Sequence, residues 1–197
     1  MRVLLLSNND NIELLRELLV EKGNDVTVYH DPITVDLIRD RKPEIVISFN
    51  YRHIVKEDVI DLLGNRIINL HTSYLPWNKG ASPNLWSFIE DTPRGVTIHR
   101  LEKGLDTGKI ILQKELTFDE DVETLSSSYA KLSEEIVKLL VDNWEMIATG
   151  SYEPKDQIGK GSYHRTSDLK ALLNGRSIDY SMTIREFKKF IAEGNNR

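Results

Sequence analysis

No cysteine occurs anywhere in the 197 residues. That absence excludes disulfides, thiolate metal sites and a cysteine nucleophile together. Excess positive charge is also missing. The chain has 26 Lys and Arg against 31 Asp and Glu, a formal net charge of -5, which speaks against a large nucleic-acid footprint. No apolar run approaches the length of a membrane span. The opening MRVLLLSNND joins a charge to an apolar run too short for a secretory leader, with no small-residue cleavage site. The expected compartment is the cytoplasm, with neither membrane nor nucleic acid as partner. The five histidines are scattered without paired ligand spacing, so no metal site is expected. No G-x-G-x-x-G follows the first apolar run, which disfavours a plain dinucleotide-binding protein. Repeats and low-complexity tracts are absent too.

What is present has the composition of an ordinary globular domain, 40% hydrophobic and 29% charged. RVLLL (2–6), DVTVY (25–29), EIVISF (44–49) and RIINLH (66–71) read as strands, the first and third buried on both faces. Between them lie short helical patterns. DNIELLRELLVEKGN predicts a helix with Asp10 as N-cap, Glu13 three residues on, and a stripe of Ile12, Leu14, Leu15, Leu18 and Leu19 ending at Gly23. ITVDLIRDRK predicts a helix stopped by Pro43, and VKEDVIDLL one closed by Gly64. This alternation is the signature of an α/β fold with a mostly parallel sheet and helices on both faces.

The rhythm then changes. SPNLWSFIE predicts a helix with Pro83 in its first turn. GVTIHRLE and GKIILQKEL are alternating strands joined by KGLDT, and residues 122–150 read as one long helix. Two more helices are expected near the end, capped by Ser167 and Thr183. Residues 1–150 are expected to form the catalytic domain and 151–197 a short helical extension packed on it, since no clear linker divides the chain.

Ligands of open parallel sheets bind outside the carboxyl ends of the strands. In IINLHTSYLPWNKG, Asn69 and His71 fall at such an end, and a lone acid, Asp106, sits in GLDTGKI. Each has an ordinary alternative: a turn-forming amide, a satisfied histidine under a loop, an Asp-Thr-Gly turn. Together an amide, an imidazole and a carboxylate suit acyl transfer to an amine. The amide donates to a developing oxyanion, the imidazole exchanges a proton, and the carboxylate orients the imidazole.

The stretch NLHTSYLPWNKGASPNLWSFIEDTPRGVTIHRLEKGLDTGKIILQKE resembles the formyltransferases that use 10-formyltetrahydrofolate. It carries Asn-x-His, Ser-x-Leu-Pro with a Gly, Gly-Val-Thr-x-His and Asp-x-Gly-x-Ile, in order and at family-like spacing. The resemblance covers Met1 to about Lys114; Thr72 replaces the usual proline and touches no catalytic group. It implies a Rossmann-like fold, 10-formyltetrahydrofolate as formyl donor, and Asn69, His71 and Asp106 as the catalytic residues. His99 matches the second family histidine, with packing beside the site as an equally good reading. The folate is expected against Phe49, Tyr51, Arg52, His53 and Ile54, and against Leu101, Gly104, Leu105 and Asp106.

Within the family, the glycinamide ribotide enzyme cradles a phosphate with a glycine-rich first loop, whereas this loop is SNNDN. The initiator-tRNA enzyme carries a long C-terminal barrel and a basic surface, and the formyl-folate hydrolase a domain ahead of the fold. Neither matches an acidic chain of this length that opens on its first strand. GASPNLWSFIEDTPRGVTIH, FNYRHIV and GSYHRTSDLKAL are similar to the branch that formylates nucleotide-linked amino-dideoxy sugars. The resemblance therefore implies transfer to a dTDP- or GDP-linked amino sugar for cell-surface polysaccharide, including O-antigen, biosynthesis. The alternatives are the glycinamide ribotide enzyme and the hydrolase. Ser7, Asn8, Asn9, Ser73, Tyr74, Trp77, Lys79, Gly80 and Asn84 are the candidate acceptor contacts. Trp86, His164 and Arg165 are further candidates near the sugar or diphosphate, each with a loop or packing role as the plainer reading. A homodimer is expected from the family alone.

Overall fold

The structure is a computed structural model that describes residues 1–9 and 12–194. Its elements run β1 (Arg2–Leu6), α1 (Ile12–Glu21), β2 (Asp25–Tyr29), α2 (Val35–Arg41), β3 (Ile45–Phe49), α3 (Glu57–Leu63) and β4 (Ile67–His71). They continue with β5 (Lys79–Gly80), α4 (Pro83–Ile89), β6 (Gly95–Arg100), β7 (Ile110–Glu115), α5 (Leu125–Asp142), α6 (Trp144–Thr149), β8 (Tyr163–His164), α7 (Thr166–Leu173) and α8 (Ile184–Gly194). The chain divides into two interleaved compact units. One comprises Met1–His71, Ile98–Leu112 and Val137–Asp156; the other Thr72–Thr97, Gln113–Ile136 and Gln157–Arg197. Among the described residues no helix is long and apolar enough to cross a membrane.

The first unit holds the sheet, whose strand order is β2-β1-β3-β4-β6-β7. β6 and β7 enter this unit through Ile98–Arg100 and Ile110–Leu112. β1 pairs in parallel with both β2 and β3, and β3 with β4. β3 is buried at every position, as its continuous apolar run requires. Leu4, Leu6, Val46 and Ile67 pack with Ile38 of α2 and Val59 and Leu63 of α3 on one face. Each such side chain contributes about 1.5–3 kcal/mol when fully buried.

Helix ends follow local chemistry. The Thr34 side chain accepts the Leu37 N–H at the start of α2. Gly64, at φ 56, closes α3. The expected Asp10 cap of α1 lies outside the described residues. Leu14, expected in the buried stripe of α1, is exposed, and Ile12, Leu15 and Leu19 carry the burial. The expected long helix is two: α5 ends at Asp142 and α6 starts after Asn143, whose φ of -109° and ψ of 18° leave the helical region. Its side chain bonds back to the Leu139 carbonyl, the competition by which asparagine weakens helix interiors.

In the second unit, Phe187, Ile184 and Ile191 of α8 pack with Leu85 and Phe88 of α4 and Leu125 of α5. Thr183 caps α8 as expected. Its Oγ1 accepts the Glu186 N–H, and the Glu186 carboxylate accepts the Thr183 N–H. α7 starts one residue before the expected cap. The Asp168 carboxylate accepts the Arg165 N–H at 2.7 Å, so Ser167 lies inside the helix. β5 and β8, two residues each, pair in parallel and carry no legible period. Phe187 is fully buried, so Phe187→Ala is expected to lower stability by about 3–5 kcal/mol in denaturant unfolding.

Candidate active site

Asn69 and His71 share a face of β4 because side chains alternate along a strand. Asp106 reaches them from the loop between β6 and β7. Arg100 N–H donates to the Lys109 carbonyl across that loop. Gly108 lies so close to the Arg100 carbonyl that a Cβ would sit 1.8 Å from its oxygen, so no other residue fits. Asp106 takes a left-handed backbone at φ 52, which aspartate tolerates better than most residues. The loop is tethered further by Lys103, 3.1 Å from Glu57 and 3.7 Å from Asp61 on α3.

The carboxylate is 9% exposed and His71 is 8% exposed. Asp106 Oδ2 lies 3.7 Å from His71 Nδ1, and Oδ1 lies 3.5 Å from His99 Nε2. Asn69 Nδ2 donates to Asp106 Oδ1 and to His99 Nε2, both at 3.2 Å. The partners set the tautomer of His99. Its Nδ1 lies 2.7 Å from the Arg100 carbonyl, which can only accept. Nδ1 therefore carries the hydrogen, and Nε2 accepts from Asn69. His99 is thus a neutral ring that orients the Asn69 amide. A buried carboxylate requires partners, and this one has the Asn69 amide and faces the His71 imidazole.

The loops after β1, β2 and β3 are knitted together. Asn8 N–H donates to the Asn50 carbonyl. The Asn8 side chain donates to the His30 carbonyl and accepts the Arg52 N–H. His53 Nε2 lies 3.1 Å from the same His30 carbonyl. Ser7 is buried, its oxygen accepting the Asn9 N–H. The Tyr51 hydroxyl donates to the Asp31 carbonyl and accepts the Ile33 N–H. Its pKa is raised above the ordinary phenol value, first by burial. Phe49 and the half-buried Leu101 lie in the core packing, whereas Ile54 and Leu105 stand in solvent, 88% and 50% exposed. Gly104 takes φ 103.

The remaining expected contacts lie in the second unit. Thr97 organises Ser73 to Trp77. Its hydroxyl donates to the Ser73 carbonyl and accepts the Leu75 N–H, while Gln113 donates to the Leu75 carbonyl. Ser73 itself donates to the Trp77 carbonyl, and Trp77 N–H donates to Tyr74. Lys79 N–H donates to Ser162. A Cβ on Gly80 would lie 2.2 Å from the His164 carbonyl oxygen. Asn84 is buried and donates to Ser128. His164 stacks on Trp86 at 3.8 Å between ring centres. Sequence reasoning missed Thr97, Gln113 and the tying role of Asn8. The threonine of Gly-Val-Thr-x-His was the signal available for the first.

Residues 14–143 match the formyl transferase family, and the chain belongs to it. Its α/β architecture is the Rossmann-like formyltransferase fold. Three relatives bracket it. The formyltransferase PseJ from Anoxybacillus kamchatkensis, solved in complex with UDP-4,6-dideoxy-4-formamido-L-AltNAc and tetrahydrofolate, is 38% identical over 95% of this chain and 97% of that one, with a TM-score of 0.87. The dTDP-4-amino-4,6-dideoxyglucose formyltransferase of Mycobacterium tuberculosis is 28% identical over 87% of this chain and 77% of its own length. The methionyl-tRNA formyltransferase of Thermodesulfovibrio yellowstonii is 36% identical over 64% of this chain and 41% of its own length.

The Ser73–Trp77 loop depends on a buried hydroxyl at residue 97. Thr97→Val keeps the shape and strands the Leu75 N–H, so it is expected to cost about 1–3 kcal/mol in denaturant unfolding.

Proposed function

We propose that the protein transfers the formyl group of 10-formyltetrahydrofolate to the amine of a nucleotide-linked amino-dideoxy sugar. The observation that carries this reading is the Asn69, His71 and Asp106 cluster, in a chain 38% identical over 95% of its length to PseJ. The names of PseJ's ligand and of the mycobacterial enzyme both specify a 4,6-dideoxy sugar with nitrogen at position 4. A 4-amino-4,6-dideoxy sugar is therefore the acceptor to expect. UDP joins dTDP and GDP as candidate nucleotide, favoured by the PseJ likeness.

The chemistry assigned to the residues is as follows. The neutral sugar amine attacks the formyl carbon, forming a new C–N bond. Negative charge develops on the formyl oxygen. Both Asn69 amide hydrogens are engaged within the cluster, one on Asp106 and one on His99. One of them turns to the oxyanion, a donor already oriented by His99. Asp106 faces His71 Nδ1, so proton exchange with the reacting nitrogens falls to Nε2, and the carboxylate stabilises the imidazolium that forms. The bond from the formyl carbon to the folate nitrogen then breaks. That nitrogen gains the proton lost by the sugar amine, and the products are the N-formyl sugar and tetrahydrofolate.

In this reading the folate lies against the loop after β3 and the Leu101–Asp106 loop. The exposed Ile54 and Leu105 there are apolar surface available for a ring. The acceptor is assigned to Ser7–Asn9, Ser73–Trp77 and Lys79–Asn84. A cytoplasmic homodimer serving cell-surface polysaccharide synthesis belongs to the same reading.

The test is mass spectrometry after incubation with 10-formyltetrahydrofolate and a panel of UDP-, dTDP- and GDP-linked amino sugars, with glycinamide ribotide alongside. A nucleotide sugar gaining the mass of one formyl group is the expected result. Formylation of glycinamide ribotide alone, or formate release with every acceptor untouched, would contradict the proposal. Asn69→Ala and His71→Ala are expected to lower kcat on the order of a hundred- to a thousandfold while folate binding persists.

A further inference from the structure

We infer that the first unit carries a second ligand site, for a phosphate-bearing small molecule of the nucleotide class, at the end of the sheet opposite Asn69 and His71. A cavity of about 380 Å³ opens there, within the size range of small-molecule sites. It lies at the amino ends of the strands. Arg2 opens β1, Pro43 and Glu44 precede β3, and Arg66 precedes β4. Asn69 and His71 lie toward the carboxyl end of β4, roughly 10 and 16 Å beyond Arg66 at the usual rise per strand residue.

The rim is cationic in a chain whose net charge is negative. Arg2, Arg39, Lys42 and Arg66 line it against one acid, Glu44. Two of the guanidinium groups are pre-positioned by backbone. Arg2 Nε donates to the Lys42 carbonyl at 2.9 Å. Arg66 donates to the Pro43 and Leu62 carbonyls, both at 3.1 Å. Arg2 is held through Nε, which leaves its terminal fork to match phosphate oxygens, whereas Arg66 spends an N–H of each terminal nitrogen on backbone and supplies mainly charge. The Glu44 carboxylate accepts the Arg2 backbone N–H at 2.7 Å. Ile38, Pro43 and Leu62 add an apolar wall, which suits a ligand with a ring as well as a charge.

Lys42 supplies an independent argument. It is the C-cap of α2 and holds a left-handed backbone, φ 46 and ψ 52. Glycine or asparagine normally occupies such a position, and a long side chain there is strained. The α2 dipole favours a cation near its C-terminus, but Arg39 and Arg41 already supply charge in the last turn. A strained lysine whose side chain meets a cavity is explained by what that side chain binds. Arg2 and Arg66 lie outside α2, and their bonds to the Lys42, Pro43 and Leu62 carbonyls hold both guanidinium groups at the rim.

The test is independent of formyl transfer. The full chain, labelled with nitrogen-15 and assigned, is titrated with UDP and separately with inorganic pyrophosphate. Saturable shifts of the Lys42, Glu44, Leu62 and Arg66 amides are expected at millimolar ligand or below, with UDP the tighter because of the apolar wall. UDP also entering the acceptor site would move other amides, so the residues that shift separate the two sites. The double variant Arg39→Ala, Lys42→Gly should lose the shifts at this cavity, and Lys42→Gly alone should melt no lower than the parent. If these amides stay fixed at millimolar concentrations of both anions, the site does not exist. Shifts retained in the double variant would overturn the assignment to Arg39 and Lys42. Pyrophosphate binding as tightly as UDP would overturn the nucleotide class.

Discussion

The Asp106 carboxylate is nearly removed from water, and the rest of the site follows from keeping it charged there. A carboxylate so placed needs an amide, an imidazole or a cation within reach. Asn69 and His71 supply two of these from alternate positions of one strand. Gly108 supplies the room: only a residue without a Cβ lets the Asp106 loop close against Arg100. The motif Asp-x-Gly is thus one physical device, a charge and the backbone approach that delivers it.

Precision in the amide depends on the second histidine. With the Arg100 carbonyl fixing its tautomer, His99 offers Asn69 a lone pair and nothing else. The amide is held in one orientation by its bonds to His99 and Asp106, and in the proposed mechanism it gives up one of these bonds to reach the oxyanion. The loops after β1, β2 and β3 are held in a similar way by Asn8 and Tyr51, whose polar atoms are spent on neighbouring backbone. These loops are joined by side-chain-to-backbone bonds and by the Asn8 N–H to Asn50 carbonyl bond.

Most of the fold was legible because its signals are local and strong. β1 and β2 fall on the expected residues, since short apolar or alternating runs bounded by turn residues have few other solutions. The cap at Thr183 and the stop at Gly64 were readable for the same reason. The break at Asn143 was not, because the apolar stripe continues to Trp144 and periodicity cannot see a single residue leaving the helical region. β5 and β8 were invisible because two-residue strands have no period. Asn69, His71 and Asp106 were singled out mainly by their ordered motifs, and the structure brings the three side chains together. His99's part as the group that orients the amide, and Thr97's as the anchor of the Ser73–Trp77 loop, emerge only from distances. Leu14 shows the opposite failure, an apolar residue counted as core that faces solvent.

In the proposed mechanism the charge of Asp106, rather than its shape, organises proton transfer through His71. Asp106→Asn nearly preserves volume, removes that charge and replaces one acceptor oxygen with an amide donor. Single-turnover rates of the variant with saturating 10-formyltetrahydrofolate and the acceptor sugar nucleotide measure its effect directly. The account predicts a loss on the order of a hundredfold or more with folate affinity little changed. A variant that turns over within about twofold of the parent would contradict it, and the proton would have to be carried by another group.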